Sequence, residues 1–145
     1  MQALVERARV DMAQELEGRA VEWRVNELPQ VEGDRGSLQQ VMTNLISNAV
    51  KYSRGRELAV IEVWAKERPG EWVVSVRDNG AGFNPEHAQK LFGVFQRLHS
   101  EAEFEGTGIG LATVRRVVAR HGGQVSAQGQ QDKGATFSFT LPRMV

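Results

Sequence analysis

The chain contains 145 residues, the length of one domain that can bury a hydrophobic core without disulfides or structural metals. Its hydrophobic fraction of 41% and charged fraction of 25% are those of a folded protein and exclude an intrinsically disordered chain. Eighteen Lys and Arg residues balance eighteen Asp and Glu residues, so the chain lacks the basic excess of a nucleic-acid-binding protein.

The rarer residue types exclude further classes of function. There is no cysteine, which excludes disulfides, iron–sulfur clusters and thiol catalysis, and the three histidines lack the spacing of a zinc site. No apolar run approaches the roughly 18 residues of a membrane span, and no signal peptide opens the chain. We therefore expect a cytoplasmic domain that does not contact the membrane.

The first third of the chain predicts a helix, a strand and a second helix. Apolar residues recur at helical spacing over residues 3–17, and they alternate with polar ones over residues 20–27, as in a strand. A turn at residues 34–36 precedes Ser37, which with a glutamine three residues later forms a capping box. The second helix is predicted over residues 38–53.

The rest of the chain predicts two hairpins separated by helices. The predicted elements in chain order are strands 58–65 and 71–77 joined at 68–71, a short helix 85–95, a mobile loop 96–107, a helix 108–121 and strands 124–129 and 135–141 joined at 130–134. Strands grouped in hairpins and separated by helices indicate the α+β class, with a mixed sheet that helices cover on one face.

The second predicted helix carries a polar stripe beside its apolar face. Asn44, Asn48 and Lys51 lie at positions i, i+4 and i+7 and therefore share one side of the helix. Carboxamide oxygens are suitable ligands for Mg²⁺, and a lysine supplies a positive charge for phosphate. The alternative is a solvated helix face, although asparagines have poor helix propensity in a helix interior.

A glycine-containing segment with the sequence DNGAG follows the strand 71–77 directly. A carboxylate at a strand end, here Asp78, can accept a hydrogen bond from the exocyclic amino group of adenine. Gly80 and Gly82 allow the backbone to approach a base closely. The alternative is a simple tight turn, for which Asp-Asn-Gly is also suitable.

Two further glycine clusters lie near the end of the chain. The segment Gly106-Thr107-Gly108-Ile109-Gly110-Leu111 opens a helix, where free amide groups and the helix dipole favour phosphate. Its spacing fits neither a Walker A loop nor a Rossmann fingerprint. The segment Gly134-Ala135-Thr136 begins the last strand and would by itself be read as an ordinary hairpin exit.

Taken in order, five segments resemble the catalytic ATP-binding domain of sensor histidine kinases. They are NLISNAVKY (44–52), DNGAG (78–82), LFGVF (91–95), GTGIGL (106–111) and GATF (134–137), which correspond to the family's N box, first glycine box, F box, and second and third glycine boxes. The resemblance covers nearly the whole chain, and residues 95–100 (FQRLHS) also resemble the phytochrome-type branch. It implies a Bergerat α/β sandwich with a mixed, mostly antiparallel sheet and ATP bound between the helices and a lid.

The resemblance also implies roles for individual residues. Asn48 matches the asparagine that coordinates Mg²⁺, Asn44 supports it, and Lys51 contacts phosphate, so these three are the implied catalytic residues. Asp78 matches the carboxylate that receives the adenine amino group, while Phe92 and Phe95 match the F box that anchors the lid. The implied cofactor-binding residues are Asn44, Asn48, Lys51, Tyr52 (packing on adenine), Asp78, Gly80, Gly82, Phe95, Gly106, Thr107, Gly108, Ile109, Gly110, Leu111 and Thr136 (completing base recognition).

The position of Asn44 separates two reaction classes in this superfamily. The hydrolytic members carry a glutamate there, which acts as the general base toward water. An amide cannot accept that proton near neutral pH, so the resemblance implies transfer of the γ-phosphate and not hydrolysis.

None of the three histidines, His87, His99 and His121, has the sequence context of a phosphoacceptor. We therefore expect residues 1–145 to form a single catalytic domain, monomeric in isolation, without the dimerisation domain that carries the acceptor histidine. Its partners would be that domain and, indirectly, a response regulator. Two alternatives stay open: a serine kinase of the anti-sigma type, and a non-catalytic module whose conformation depends on nucleotide.

Overall fold

The computed structural model describes residues 1–31, 33–82, 110–130 and 132–143. The elements are α1 (Gln2–Asp11), β1 (Ala20–Val25), α2 (Arg35–Tyr52), β2 (Leu58–Arg68), β3 (Glu71–Asp78), α3 (Gly110–Arg120), β4 (Val125–Gln130) and β5 (Gly134–Pro142). The predicted helix 85–95, the predicted mobile loop 96–107 and the first two residues of the predicted helix 108–121 lie outside the described residues.

The strands form one five-stranded sheet in the order β1-β2-β3-β5-β4. β1 runs parallel to β2, and the three other pairs are antiparallel. The parallel pair requires a crossover connection, which α2 supplies, whereas β2–β3 and β4–β5 are joined directly as hairpins. The predicted mixed, mostly antiparallel sheet is therefore confirmed, as are both predicted hairpins.

The described helices cover one face of this sheet, as the sequence predicted. α2 packs against α1, α3 and β3, and its inward side is apolar throughout. The side chains in this core with the lowest exposure include Val5, Val41, Met42, Leu45, Ile46, Val50, Ile61, Val63, Val74, Val76, Phe139 and Leu141. The described helices include none long and apolar enough to cross a membrane.

The N-terminus of α2 differs from the prediction at its capping residue. The cap is Asp34, whose Oδ2 accepts hydrogen bonds from the Ser37 backbone nitrogen at 2.8 Å and from the Ser37 hydroxyl at 2.5 Å. Ser37 therefore lies inside the first turn, and the predicted capping box at Ser37 is wrong. A carboxylate at this position also has a favourable interaction with the helix dipole, which an alcohol lacks.

The predicted first helix, residues 3–17, is too long at its C-terminal end. Regular α-helix ends at Asp11, and residues 12–18 form successive turns in which bonds such as Ala13 N to Val10 O span three residues. Met12 and Leu16 nevertheless pack against the core. The apolar spacing thus predicted which side chains face inward, but it did not distinguish an α-helix from a chain of tighter turns.

Candidate active site

The last residue of β3, Asp78, is a buried carboxylate. Its side chain is 2% exposed, and its Oδ1 accepts a hydrogen bond from the Gly80 backbone nitrogen at 2.8 Å. The alternation of β3 places Asp78 on the same face as Val76 and Val74, toward the helices. β3 therefore ends in a buried acceptor group, and the loop after it contacts the C-terminal end of α2.

Burial determines the acid–base properties of this carboxyl group. Loss of hydration raises the pKa of Asp78 from 3.8 to about 7, even though the Gly80 hydrogen bond and the charge of Arg56 both lower it. A buried carboxylate is stabilised when a ligand donates a hydrogen bond to it. Strong pKa perturbation of a buried group beside a glycine-rich loop is typical of a binding site.

Two glycines in the loop after Asp78 allow the backbone to pack where no side chain fits. A Cβ added at Gly80 would overlap the carbonyl of Tyr52, and one added at Gly82 would overlap the carbonyl of Gln130. Gly82 also has φ +65°, in the left-handed region. The Ala81 nitrogen donates to the Tyr52 oxygen at 3.0 Å, so the loop is joined directly to the end of α2.

The polar stripe lies on α2, as predicted. Asn44, Asn48 and Lys51 all fall within the helix and are half-buried. Tyr52 is the last helical residue, and its carbonyl contacts the Asp78 loop as described above. The last turn of α2, which carries Lys51 and Tyr52, therefore lies beside the loop that follows the buried carboxylate.

Hydrogen bonds from two side chains fix the C-terminus of α2. The Ser53 hydroxyl donates to the Ala49 carbonyl at 2.7 Å, and Arg19 donates to the Val50 carbonyl at 2.9 Å. The Ala49 carbonyl also accepts from the Ser53 backbone nitrogen at 3.2 Å, and the Arg19 bond gives a side-chain partner to the Val50 carbonyl in the last turn of the helix. They hold the end of α2 that carries Lys51 and Tyr52.

The structure does not bring Thr136 together with Asp78. In the β3–β5 register Asp78 lies opposite Ala135, and Thr136 lies opposite Arg77. Directly opposite residues project to the same face, so Thr136 and the exposed Arg77 are on the face away from the helices. Ala135, which the sequence analysis did not select, shares the face of Asp78 and is 5% exposed. The role of Thr136 in base recognition stays a prediction that this geometry does not favour.

Several predicted site residues lie outside the described part of the chain. These are Phe92, Phe95, Gly106, Thr107, Gly108 and Ile109. Of the same segment, Gly110 is the first residue of α3, and Leu111 is 7% exposed and belongs to the hydrophobic core. Leu111 therefore has a packing role, and its predicted contact with a cofactor is untested.

Sequence reasoning missed Arg56, which lies between α2 and β2. Its Nε donates to the Asn79 carbonyl at 2.8 Å, and its Nη2 donates to the carbonyls of Gly80 at 3.0 Å and Asp132 at 2.5 Å. No motif marks this arginine, because its partners are backbone atoms that are distant in sequence.

The described residues around Asp78 offer a hydrogen-bond acceptor and no cluster of metal ligands. The Gly80 amide donates to Oδ1 of Asp78, so Oδ2 is the candidate acceptor for an amino group. The described residues contain no group of three or more His, Asp or Glu side chains that could hold a metal. An ion at Asn48 would therefore need oxygen ligands from a nucleotide and from water.

Comparison with known proteins shows the family to which the chain belongs. Residues 33–144 match the family described as histidine kinase-, DNA gyrase B- and HSP90-like ATPase. The chain is 35% identical over 142 residues to the phytochrome-like protein Cph1 of Synechocystis, which covers 98% of this chain and 19% of that protein. It is 41% identical over 117 residues to the adaptive-response sensory kinase SasA of Thermosynechococcus vestitus, covering 80% of this chain and 30% of that protein. The chain thus spans about a fifth to a third of the length of these curated relatives.

Solved structures give the same result for the fold. The mycobacterial sensor histidine kinase MprB superposes with a TM-score of 0.80 at 27% identity, covering 98% of this chain and 95% of that one. Full-length ShkA, solved in complex with AMPPNP, superposes with a TM-score of 0.77 at 30% identity, covering 97% of this chain and 29% of that one. The chain therefore belongs to the histidine kinase-, DNA gyrase B- and HSP90-like ATPase family, as a catalytic domain of the sensor histidine kinase type.

Proposed function

We propose that this domain binds Mg²⁺·ATP and transfers the γ-phosphate to a histidine on a separate dimerisation domain in two-component signalling. The observation that carries the proposal is the buried Asp78 carboxylate at the end of β3, which the Gly80 amide holds. Membership of the ATPase family and the half-buried stripe on α2 support it.

Recognition of the base rests on Asp78. Its Oδ2 would accept a hydrogen bond from the adenine N6 amino group, and Gly80 and Gly82 would allow the backbone to lie close to the ring. The Gly80 amide compensates Oδ1 alone, so without such a donor the lost hydration of Oδ2 is not replaced. A purine with a carbonyl at position 6 offers the carboxylate no hydrogen bond there, so its binding would not offset the lost hydration. The site would therefore select adenine.

The α2 stripe would hold the phosphates and the metal. Asn48 would coordinate Mg²⁺ through its carboxamide oxygen, with Asn44 in support, and Lys51 would contact phosphate. Mg²⁺, when bound, neutralises negative charge on the phosphate oxygens. Asn44 has no basic group with which to activate water, and loss of a general base costs about 10²–10⁴ in rate. ATP would therefore be retained for transfer.

The phosphoacceptor is proposed to lie on another domain. Of the histidines, His121 is described, and both of its ring nitrogens are engaged: Nδ1 with the Val117 carbonyl at 2.9 Å and Nε2 with the Asp34 backbone nitrogen at 3.0 Å. A ring held in this way is not available as a nucleophile. We propose residues 1–145 as one catalytic domain of a larger cytoplasmic kinase, with a response regulator as the indirect recipient.

A phosphotransfer assay tests this proposal. The domain is incubated with γ-labelled ATP, Mg²⁺ and a separately purified dimerisation domain from a related histidine kinase. We expect slow labelling of the dimerisation domain, labile in acid and stable in base, and loss of labelling when its acceptor histidine is replaced by glutamine. Acid-stable label would indicate a serine or threonine target and overturn the histidine-kinase assignment. Rapid phosphate release without any acceptor would contradict the role assigned to Asn44.

A further inference from the structure

Arg56 connects three parts of the chain at the candidate base-binding site. It lies in the connection between α2 and β2, and its guanidinium donates to the carbonyls of Asn79, Gly80 and Asp132 at 2.5–3.0 Å. Asn79 and Gly80 belong to the loop after β3, whereas Asp132 belongs to the β4–β5 turn. One side chain therefore links the end of α2, the loop and the hairpin.

The arrangement of these carbonyls suits a guanidinium. Three carbonyl dipoles converge on one position, and their partial negative charges repel one another unless a cation lies between them. The planar guanidinium offers several donors in fixed directions, whereas a lysine ammonium acts as a compact charge at the end of a flexible chain. Bonds of this charge-assisted kind are about twice as strong as bonds between neutral groups.

Neighbouring hydrogen bonds fix the same loop from other sides. The Asn79 side chain accepts from the Val60 nitrogen and donates to the Leu58 carbonyl, both at 2.9 Å, which holds the start of the loop to β2. The Asp132 nitrogen donates to the Ala81 carbonyl at 2.6 Å. Gly80, whose amide orients the Asp78 carboxylate, lies between these points and is held there by Arg56 through its carbonyl.

We propose that Arg56 is a positioning residue for adenine recognition, which orients the Asp78 carboxylate by holding the loop that contains Gly80. This inference rests on the proposed function, since it assumes that Asp78 receives the base. Arg56 also acts on Asp78 through its charge. Among the residues that the structure describes, it is the charged side chain that lowers the pKa of Asp78, against the larger effect of burial. Arg56 thus favours the ionised acceptor that the amino group of adenine needs.

The test uses three variants and two measurements. Arg56→Met removes the charge and the donors, Arg56→Lys keeps the charge alone, and Arg54→Met is the control because Arg54 is also exposed and lies two residues away. Affinity for a non-hydrolysable ATP analogue is measured by calorimetry from pH 6 to 8.5. Titration of the Asp78 carboxyl is followed by carbon NMR in the nucleotide-free protein.

For Arg56→Met we expect about a tenfold to hundredfold loss of affinity near pH 7, the size of one or two charge-assisted hydrogen bonds. The midpoints of both the affinity profile and the Asp78 titration should move to higher pH. Arg56→Lys keeps the charge but not the fixed donors that hold Gly80, so it should restore the midpoints and the affinity only in part. Arg54→Met should behave as wild type.

Unchanged affinity in Arg56→Met would overturn the inference. So would an equal loss of affinity at every pH with an unmoved Asp78 titration, because a purely structural support acts in that way. Failure of the wild-type domain to bind the analogue would instead refute the proposed function. The NMR titration, which needs no nucleotide, would still report whether Arg56 acts on Asp78.

Discussion

Replacing Asp78 with asparagine should weaken nucleotide binding and at the same time stabilise the domain at alkaline pH. The asparagine keeps an oxygen that can accept from the Gly80 amide, but it removes a carboxylate that is 2% exposed. Because burial raises the pKa of Asp78 from 3.8 to about 7, the folded protein binds this proton more tightly than the unfolded chain does. The stability contributed by the protonated carboxyl is therefore complete below about pH 4 and is lost as the pH rises through about 7.

The size of this effect follows from the two pKa values. A pKa raised from 3.8 to about 7 corresponds to about 4 kcal/mol of free energy of unfolding lost above pH 8. At pH 5 the loss is about 2 kcal/mol by the same relation. The free energy of unfolding of Asp78→Asn relative to wild type should therefore increase by about 2–3 kcal/mol between pH 5 and pH 8.5. This is a large part of the 5–15 kcal/mol that stabilises a typical domain.

Urea unfolding followed by tryptophan fluorescence at several pH values measures this difference. Asp11→Asn is the matched control, because Asp11 lies on the exposed side of α1 in an ion pair with Arg7. The free energy of unfolding of this control relative to wild type should not increase with pH. A constant stability difference between Asp78→Asn and wild type from pH 5 to 8.5 would refute the claim that Asp78 is ionised at a cost in the folded state.

Substitutions at Gly80, at Asn48 and Asn44, and at His121 test the packing of the site, its predicted ligands and the start of α2. Gly80→Ala should lower the free energy of unfolding by about 1–3 kcal/mol and abolish nucleotide binding, because its Cβ would overlap backbone, whereas Gly55→Ala, with nothing within 4 Å, should be neutral. Equal urea midpoints for the two variants would contradict the close packing. Asn48→Ala should remove most of the Mg²⁺ dependence of ATP-analogue binding, and Asn44→Ala should remove less; full Mg²⁺ dependence in both would mean that the stripe is a solvated face. His121→Ala should lower the free energy of unfolding by about 1 kcal/mol, since it removes the acceptor for a backbone amide at the start of α2. An unchanged urea midpoint would contradict that contribution.

The strands and the main helix could be predicted because their apolar residues follow one period consistently. The alternation over β2 and β3 and the helical spacing over α2 each indicated the correct element. The end of α1 could not be predicted in the same way, because Met12 and Leu16 keep facing the core after regular helix ends. The capping prediction failed because Asp34 and Ser37 are both good N-cap residues, and the choice between them depends on backbone geometry.

The candidate site was predictable where its residues are close in sequence. Asp78, Gly80 and Gly82 form one short segment, and the stripe on α2 follows from helical spacing. Thr136 was selected although strand parity from the buried Phe137 already places Ala135, and not Thr136, on the inner face. Arg56 could not be found from the sequence, since its partners are carbonyls of Asn79, Gly80 and Asp132 that only the fold brings together.

The comparison of ATP with inosine triphosphate tests the central claim most directly. The two nucleotides differ at position 6 of the purine, where adenine carries an amino donor and hypoxanthine carries a carbonyl acceptor. If the Asp78 carboxylate receives the base, calorimetry of the wild-type domain at pH 8 with Mg²⁺ should show binding of the ATP analogue. Its inosine counterpart should bind at least about fivefold more weakly, from about 1–3 kcal/mol of lost hydrogen bonding. Asp78→Asn should remove most of this preference. Equal affinity of the wild-type domain for both nucleotides would contradict the assignment of Asp78 and of the pocket built around it.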